Sequence, residues 1–194
     1  MIEKRKNWKE EQKTLDINKL YFLDESSVNL GMTRLYGWGK KNERVEDYVP
    51  DVRFERTSII STLSLGGINA PMTFKGTLDA DLFREYVKQV LAPSLQGGDI
   101  LVMDNLSSHK VEGVIQPLID RGVKVLWLPQ YSPDLNPIEL AWSKIKIILR
   151  KKKPRTYEDL EKALREALAE ITNDNAKNWF KHDGYFFEPL PVNI

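Results

Sequence analysis

Ile100-Leu101-Val102-Met103-Asp104-Asn105 is a four-residue apolar run that stops at an acid. Gly97-Gly98 stands before it, and a run this short after a turn signal reads as a buried strand. Val111 to Arg121 then predicts a helix ended by Gly122, and Val123 to Leu128 predicts another short strand. Strand, helix and strand in that order make a βαβ unit with parallel strands. In open α/β sheets sites form at the carboxyl ends of strands, which is where Asp104 stands.

Upstream, Leu20-Tyr21-Phe22-Leu23 is a second apolar run and ends at Asp24, so 19–24 reads as a strand. Residues 28–50 are rich in Gly, Asn and Lys and predict a loop or irregular hairpin around Tyr36-Gly37-Trp38-Gly39. Arg53 to Leu65 fits a long strand with Ile59 and Ile60 as β-branched markers. Gly66-Gly67 signals a hairpin, and Ile68 to Lys75 returns with Pro71 marking an edge or an irregularity. Asp79 caps a helix over 80–92 that Pro93 stops. Downstream, Asn136 is a good N-cap with Pro137 at the first helical position of a helix reaching about Arg150. Thr156 and Asp159 resemble a capping box for a helix over 157–171. Residues 3–14 read as a charged, solvated helix, and the aromatic tail Trp179 to Phe187 should dock on the body. The expected fold is α/β: a mixed five-stranded sheet, three antiparallel strands followed by parallel βαβ units, with helices on both faces. If the strands ending at Asp24 and Asp104 are neighbours, their carboxylates lie side by side.

With 194 residues the chain suits one domain with a full core. It has no cysteine, which excludes disulfides and thiolate metal sites. The N-terminus lacks a signal-peptide pattern, and no apolar run is long enough to span a membrane, so a cytoplasmic address is the expectation. The net charge of +1 is uninformative, but Leu140 to Tyr157 holds seven basic residues and no acid, a local stripe able to bind phosphates.

Glu139 lies in Pro133-Asp134-Leu135-Asn136-Pro137-Ile138-Glu139, at the start of the helix that Asn136 opens. Counting along the chain, 79 residues separate Asp24 from Asp104 and 34 separate Asp104 from Glu139. Two strand-end aspartates and a helix-borne glutamate can converge on a pair of Mg²⁺ ions, which clamp both oxygens of an in-line phosphodiester displacement. Each acid also has a plain structural reading. Glu139 could complete a capping box with Asn136, Asp104-Asn105 could be turn chemistry, and Asp24 could cap a strand end. Glu25 points away from Asp24 on a strand, and Asp134 reads as stabilising its turn, so neither joins the set.

The strings around these acids carry a resemblance. Phe22-Leu23-Asp24-Glu25-Ser26, Val102-Met103-Asp104-Asn105-Leu106-Ser107-Ser108-His109-Lys110 and Leu128-Pro129-Gln130-Tyr131-Ser132-Pro133-Asp134-Leu135-Asn136-Pro137-Ile138-Glu139 resemble the three acidic motifs of mariner-type insertion-sequence transposases. The likeness covers about residues 17 to 187. It implies a ribonuclease-H-like catalytic (DDE) domain over 17–187, after a helical lead-in at 1–16 and before a tail at 188–194. It also implies Asp24, Asp104 and Glu139 as catalytic metal ligands for two Mg²⁺ ions, with Mn²⁺ as substitute. The implied activity is cleavage at transposon ends and joining to target DNA, usually at TA, by at least a homodimer. In the cell such a chain would be nucleoid-associated. Full-length members carry N-terminal helix-turn-helix modules that read the ends. Fewer than twenty residues precede the first motif here, so no such module fits in this sequence, and the expectations are the second half of a split reading frame with a separate helix-turn-helix part, an excised catalytic domain or a decayed remnant. Rival readings are a metal-dependent nuclease of the same fold that never joins, and a non-catalytic DNA-binding remnant.

Candidate DNA contacts are Lys144 and the run Arg150, Lys151, Lys152 and Lys153, with a solvated helix end as the alternative. Arg34, Lys40 and Lys41 around Trp38 form a second candidate patch. His109 and Lys110, after the second aspartate, are candidates near the scissile phosphate, a polar loop being an equally good reading of His109. Trp142 reads as core beneath the site and His182 as structural or exposed.

Overall fold

The computed structural model describes residues 2–51, 54–105 and 111–185. Five strands form one sheet: β1 (Leu20–Val28), β2 (Thr57–Ser64), β3 (Gly67–Lys75), β4 (Ile100–Met103) and β5 (Lys124–Trp127), in the order β3-β2-β1-β4-β5. The first three pair antiparallel, and β1–β4 and β4–β5 pair parallel. This is the mixed five-stranded sheet anticipated from the element order, and it agrees with the ribonuclease-H-like fold that the resemblance implies. Leu65-Gly66 forms the tight turn between β2 and β3, and β3 is the edge strand that tolerates Pro71.

The helices are α1 (Ile2–Glu11), α2 (Ala80–Tyr86), α3 (Ala92–Ser94), α4 (Gln116–Ile119), α5 (Ile138–Lys152), α6 (Tyr157–Ala169) and α7 (Asn173–His182). They cover both faces of the sheet, and the pleat decides which residues meet which helices. Leu20, Phe22 and Val102 point to one face and share a core with Trp8 of α1, Trp142 and Ile145 of α5, Leu164 of α6 and Phe180 of α7. Leu23, Leu101 and Met103 point to the other and pack on Phe83, Tyr86, Leu91 and Leu118. By the same alternation Asp24 belongs to the α5 face and Glu25 to the α2 face.

Several elements differ from expectation. β1 runs on to Val28, beyond the apolar residues, because its polar half is still paired with β2. Among the described residues β2 begins at Thr57, and Phe54, Glu55 and Arg56 stand before it outside regular strand; Arg53 lies outside the described residues. The helix expected over 111–121 is α-helical only at Gln116–Ile119, with turns in front of it; Gly113, at φ +76°, is unfavourable for a regular helix. The helix after Asp79 passes through a π-helical segment, Val87–Leu91, and takes Pro93 into α3 instead of stopping there. The loop after β1 leaves Tyr36, Trp38 and Tyr48 exposed.

The termini are tied together. α1 is solvated on most of its surface but buries Trp8, whose Nε1 donates to the Tyr185 hydroxyl at 3.2 Å. Gln12 Nε2 donates to the Gly184 carbonyl at 2.8 Å. The aromatic tail docks as far as Tyr185, Phe186 and Phe187 lying outside the described residues: Phe22 meets Phe180 and Tyr185 edge-to-face, and those two rings are tilted to each other, with ring centres 4.9–5.9 Å apart. Its helical part, α7, was not anticipated. Thr172 opens it with a capping box closed by Asn175.

Candidate active site

Asp24, Asp104 and Glu139 line one open cleft of about 410 Å³, together with Asn105, residues 128–133 and Asn136. Three separate devices bring them there. The first is parallel register. β1 pairs β4 only through Leu20↔Ile100, Tyr21↔Leu101 and Phe22↔Val102. Extending that register by two residues brings Asp24 level with Asp104, the first residue after β4. Asp24 is therefore interior to β1 but lies where its parallel partner has ended, which opens a gap beside it.

The second device is the turn after β5. Leu128 N donates to the Met103 carbonyl at 2.9 Å, and Asn105 Nδ2 donates to the Leu128 carbonyl at 2.6 Å. These bonds hold Met103 and Asn105, on either side of Asp104, against the start of the cleft wall. The wall continues through a 3₁₀ turn, Pro133–Leu135, into α5. Arg5 of α1 grips this wall from behind: its guanidinium donates to Ser132 Oγ at 2.7 Å and to both Asp134 oxygens at 3.0 and 2.6 Å. Asp134 is thus the partner of Arg5, which holds its carboxyl below the usual range. Tyr131, at the lip, is 83% exposed with a left-handed φ of +56°.

The third device is α5 itself, which starts at Ile138 and puts Glu139 in its first turn, where the dipole favours an anion. Asn136 does not cap it, contrary to expectation. The Glu139 N–H bonds the Asn136 backbone carbonyl at 3.0 Å, while Asn136 Oδ1 is buried in the wall without a partner among the described residues. The capping-box reading of Glu139 therefore has no bond to support it.

Three acids on one cleft raise the cost of charge. Burial pushes the Asp24 carboxyl well above its ordinary range, and the charges of Glu139, Glu25 and Asp104 push the same way. Glu139 is also raised, by burial and by Asp104, with Lys146 acting against this. Trp142 Nε1 donates to Asp24 Oδ2 at 3.1 Å. The donors offered are hard oxygens, as Mg²⁺ or Mn²⁺ requires, and the crowded negative charge fits a cation between them. Among the described residues no three acidic or histidine side chains enclose an ion by themselves.

The expected DNA contacts divide. Lys144 donates to the Glu170 carbonyl and to Asn175 Oδ1, Lys152 pairs with Glu166 at 2.6 Å, and Lys153 pairs with Asp47. These three fasten α6, α7 and the β1–β2 loop to α5. Among the described residues Arg150 and Lys151 have no ion-pair partner. Arg34, Lys40 and Lys41 stand exposed on the β1–β2 loop, with Lys40 3.9 Å from Glu43. His109 and Lys110 lie outside the described residues, as does the tail at 188–194. His182 is exposed and bonds its neighbour Asp183.

Lys146 belongs to the basic stripe of 140–157 and is a further candidate contact beside those named from the sequence. It stands seven residues after Glu139, so Glu139, Ser143, Lys146 and Arg150 share one side of α5. Helical spacing alone carries this signal.

Comparison with known proteins agrees with the architecture. A family model described as DDE superfamily endonuclease matches residues 19–161. No curated protein matches the chain in sequence. Among solved structures, a pre-cleavage Mos1 transpososome is similar at 20% identity and TM-score 0.74, covering 96% of this chain and 63% of that one. The mariner Mos1 paired end complex with Mg is similar at 18% identity and TM-score 0.75, covering 96% and 62%. The Mos1 transposase catalytic domain with Raltegravir and Mg is similar at 18% identity and TM-score 0.63, covering 96% of each chain. The chain spans about 63% of the transposase chain in the first of these, and the likeness is one of fold. No helix among the described residues is long and apolar enough to cross a membrane. Because the family match takes in Asp24, Asp104 and Glu139 and well over half of the sequence, the chain belongs to the DDE superfamily endonucleases.

Proposed function

We propose that this chain is the catalytic part of a mariner-type transposase, cutting DNA at element ends and joining those ends to target DNA. One observation carries the reading: three acids far apart in sequence converge on one open cleft. Asp24, Asp104 and Glu139 would hold two divalent cations, Mg²⁺ or Mn²⁺. When bound, such a pair activates the attacking oxygen and stabilises the leaving oxygen of a phosphodiester. The structural relatives whose complexes contain Mg or Mn support that choice of metal.

The remaining residues bind and orient. Lys146 lies about 10 Å and Arg150 about 16 Å along α5 from Glu139, at 1.5 Å per residue. With Lys151 they offer a basic track for the phosphates of the strand leaving the cleft. Such contacts supply affinity without reading sequence. Arg34, Lys40 and Lys41 supply a second, exposed contact. Self-association, a helix-turn-helix part that reads the element ends, and a place at the cytoplasmic nucleoid belong to the same proposal.

The test uses pre-cut duplex ends bearing a 3′-hydroxyl, a target plasmid and Mg²⁺. Joined products are expected, and the Asp104→Ala chain should make none while binding DNA nearly as well as the parent. Cleavage without joining would reduce the proposal to a nuclease. Equal activity in the variant would remove the metal site altogether.

A further inference from the structure

Trp142 sits 118 residues from Asp24 in sequence, yet its indole N–H is 3.1 Å from Asp24 Oδ2. We infer that Trp142 is a positioning residue: it orients the Asp24 carboxylate for cation binding and couples that orientation to Glu139 through α5. The inference rests on the metal-binding reading of the cleft and deepens it.

Three features carry it. First, the indole nitrogen only donates, so it occupies one lone pair of one carboxylate oxygen and leaves the rest for a cation. A lysine or arginine there would fix the carboxylate equally well but would cancel the charge a cation needs. A neutral donor orients without neutralising. Second, the donor is rigid. Trp142 is 2% exposed and belongs to the same core as Ile138, Ala141 and Ile145 of α5, so its ring has no room to turn away. Third, Trp142 and Glu139 are three residues apart, neighbours on the α5 surface. One short piece of helix thus presents the third acid and grips the first. A rigid shift of α5 moves both together and preserves their spacing.

The sheet explains why Asp24 needs such a grip. Its backbone is fixed by β2 on one side, but its partner on the other side, β4, has ended. Its carboxylate faces the gap where β4 has ended, and two donors hold it there: the Glu25 backbone N–H and, as the side-chain donor from the helix layer, Trp142 Nε1. Groups that orient metal ligands from behind typically contribute 10–100-fold to metal affinity.

The test follows Mn²⁺ binding to the full chain by calorimetry, with urea stability measured alongside. Trp142→Phe removes the N–H and keeps an aromatic ring. It should weaken Mn²⁺ binding about 10-fold, and should weaken it no further when Asp24 is already Asn. In the unmodified chain, the ¹⁵N-labelled Trp142 indole resonance should move during a Mg²⁺ titration, and the movement should be lost in Asp24→Asn. That second readout decides the matter even if Trp142→Phe folds poorly. Mn²⁺ affinity unchanged in folded Trp142→Phe, or an indole resonance indifferent to Mg²⁺ in a chain that binds it, would overturn the positioning role alone. A parent chain that binds neither cation would overturn this role together with the metal reading beneath it.

Discussion

Tyr185→Phe removes a single oxygen from the interior, and the structure sets what that should cost. The hydroxyl donates to the Leu135 carbonyl at 2.8 Å and accepts from Trp8 Nε1 at 3.2 Å. Tyr185, Leu135 and Trp8 are all buried. Phenylalanine keeps the ring against Phe22 and Phe180, so the aromatic packing is retained. What remains is one buried carbonyl and one buried indole N–H that have lost their shared protein partner. Each orphaned buried group costs about 1–3 kcal/mol, so the pair predicts a loss of about 2–6 kcal/mol. For a chain of this size, at about 2–4 °C per kcal/mol, that corresponds to a fall in Tm of about 4–24 °C. Urea denaturation should show a lower midpoint with an unchanged slope, because the surface exposed on unfolding is the same. Trp8→Phe alone should cost less, since the hydroxyl still reaches Leu135. The double variant should then show coupling above about 0.5 kcal/mol. A Tyr185→Phe chain within about 0.5 kcal/mol of the parent would refute the reasoning, because these two bonds would then contribute nothing net.

Asp24→Asn should stabilise the cation-free protein at neutral pH while abolishing cleavage. The carboxyl is raised in the fold, so the unfolded chain ionises first as pH rises, and stability falls from the ordinary carboxylate range, about pH 4, until the raised value is passed. The variant should match the parent at acid pH and exceed it above that window; urea midpoints across pH check this, and equal midpoints at pH 8 would contradict it. Arg5→Ala should loosen the cleft wall by freeing Ser132 and Asp134, reducing cleavage several-fold while costing only about 1 kcal/mol for a partly exposed pair. Paired urea and cleavage measurements decide it, and full activity would show that the wall holds itself. Lys146→Ala with Arg150→Ala should weaken DNA binding and lower the magnitude of its log-salt slope by about 2, one per lost phosphate contact. Lys152→Ala should leave that slope unchanged, since its ammonium is engaged with Glu166. The reverse pattern would place the DNA elsewhere.

Much of this was legible from local signals. The apolar runs closed by Asp24 and Asp104, the hairpin at Gly66-Gly67 and the helix carrying Glu139 each rest on a few adjacent residues, and all three acids reach one cleft. Other features left weaker marks. α7 buries only Ala176 and Phe180, too short an apolar stripe to stand out. The first expected crossover helix shrank to Gln116–Ile119 because Gly113 and Pro117 disfavour a continuous helix, and apolar spacing alone overestimated it.

By itself the sequence determined the alternation of strands and helices, the identity of the three acids and the absence of thiol chemistry, because these depend on neighbours along the chain. Tertiary structure alone decided which cations are engaged internally, where β1 loses its parallel partner, and which donor faces Asp24. Lys144 and Lys152 look no different from Lys146 or Lys151 until α6 and α7 fold back onto α5. Trp142 looks like ordinary core until the sheet brings Asp24 beneath its indole. Such pairings join residues tens to more than a hundred positions apart, and no periodicity encodes them. They follow only from the register of β1 on β4 and the packing of α5 across it.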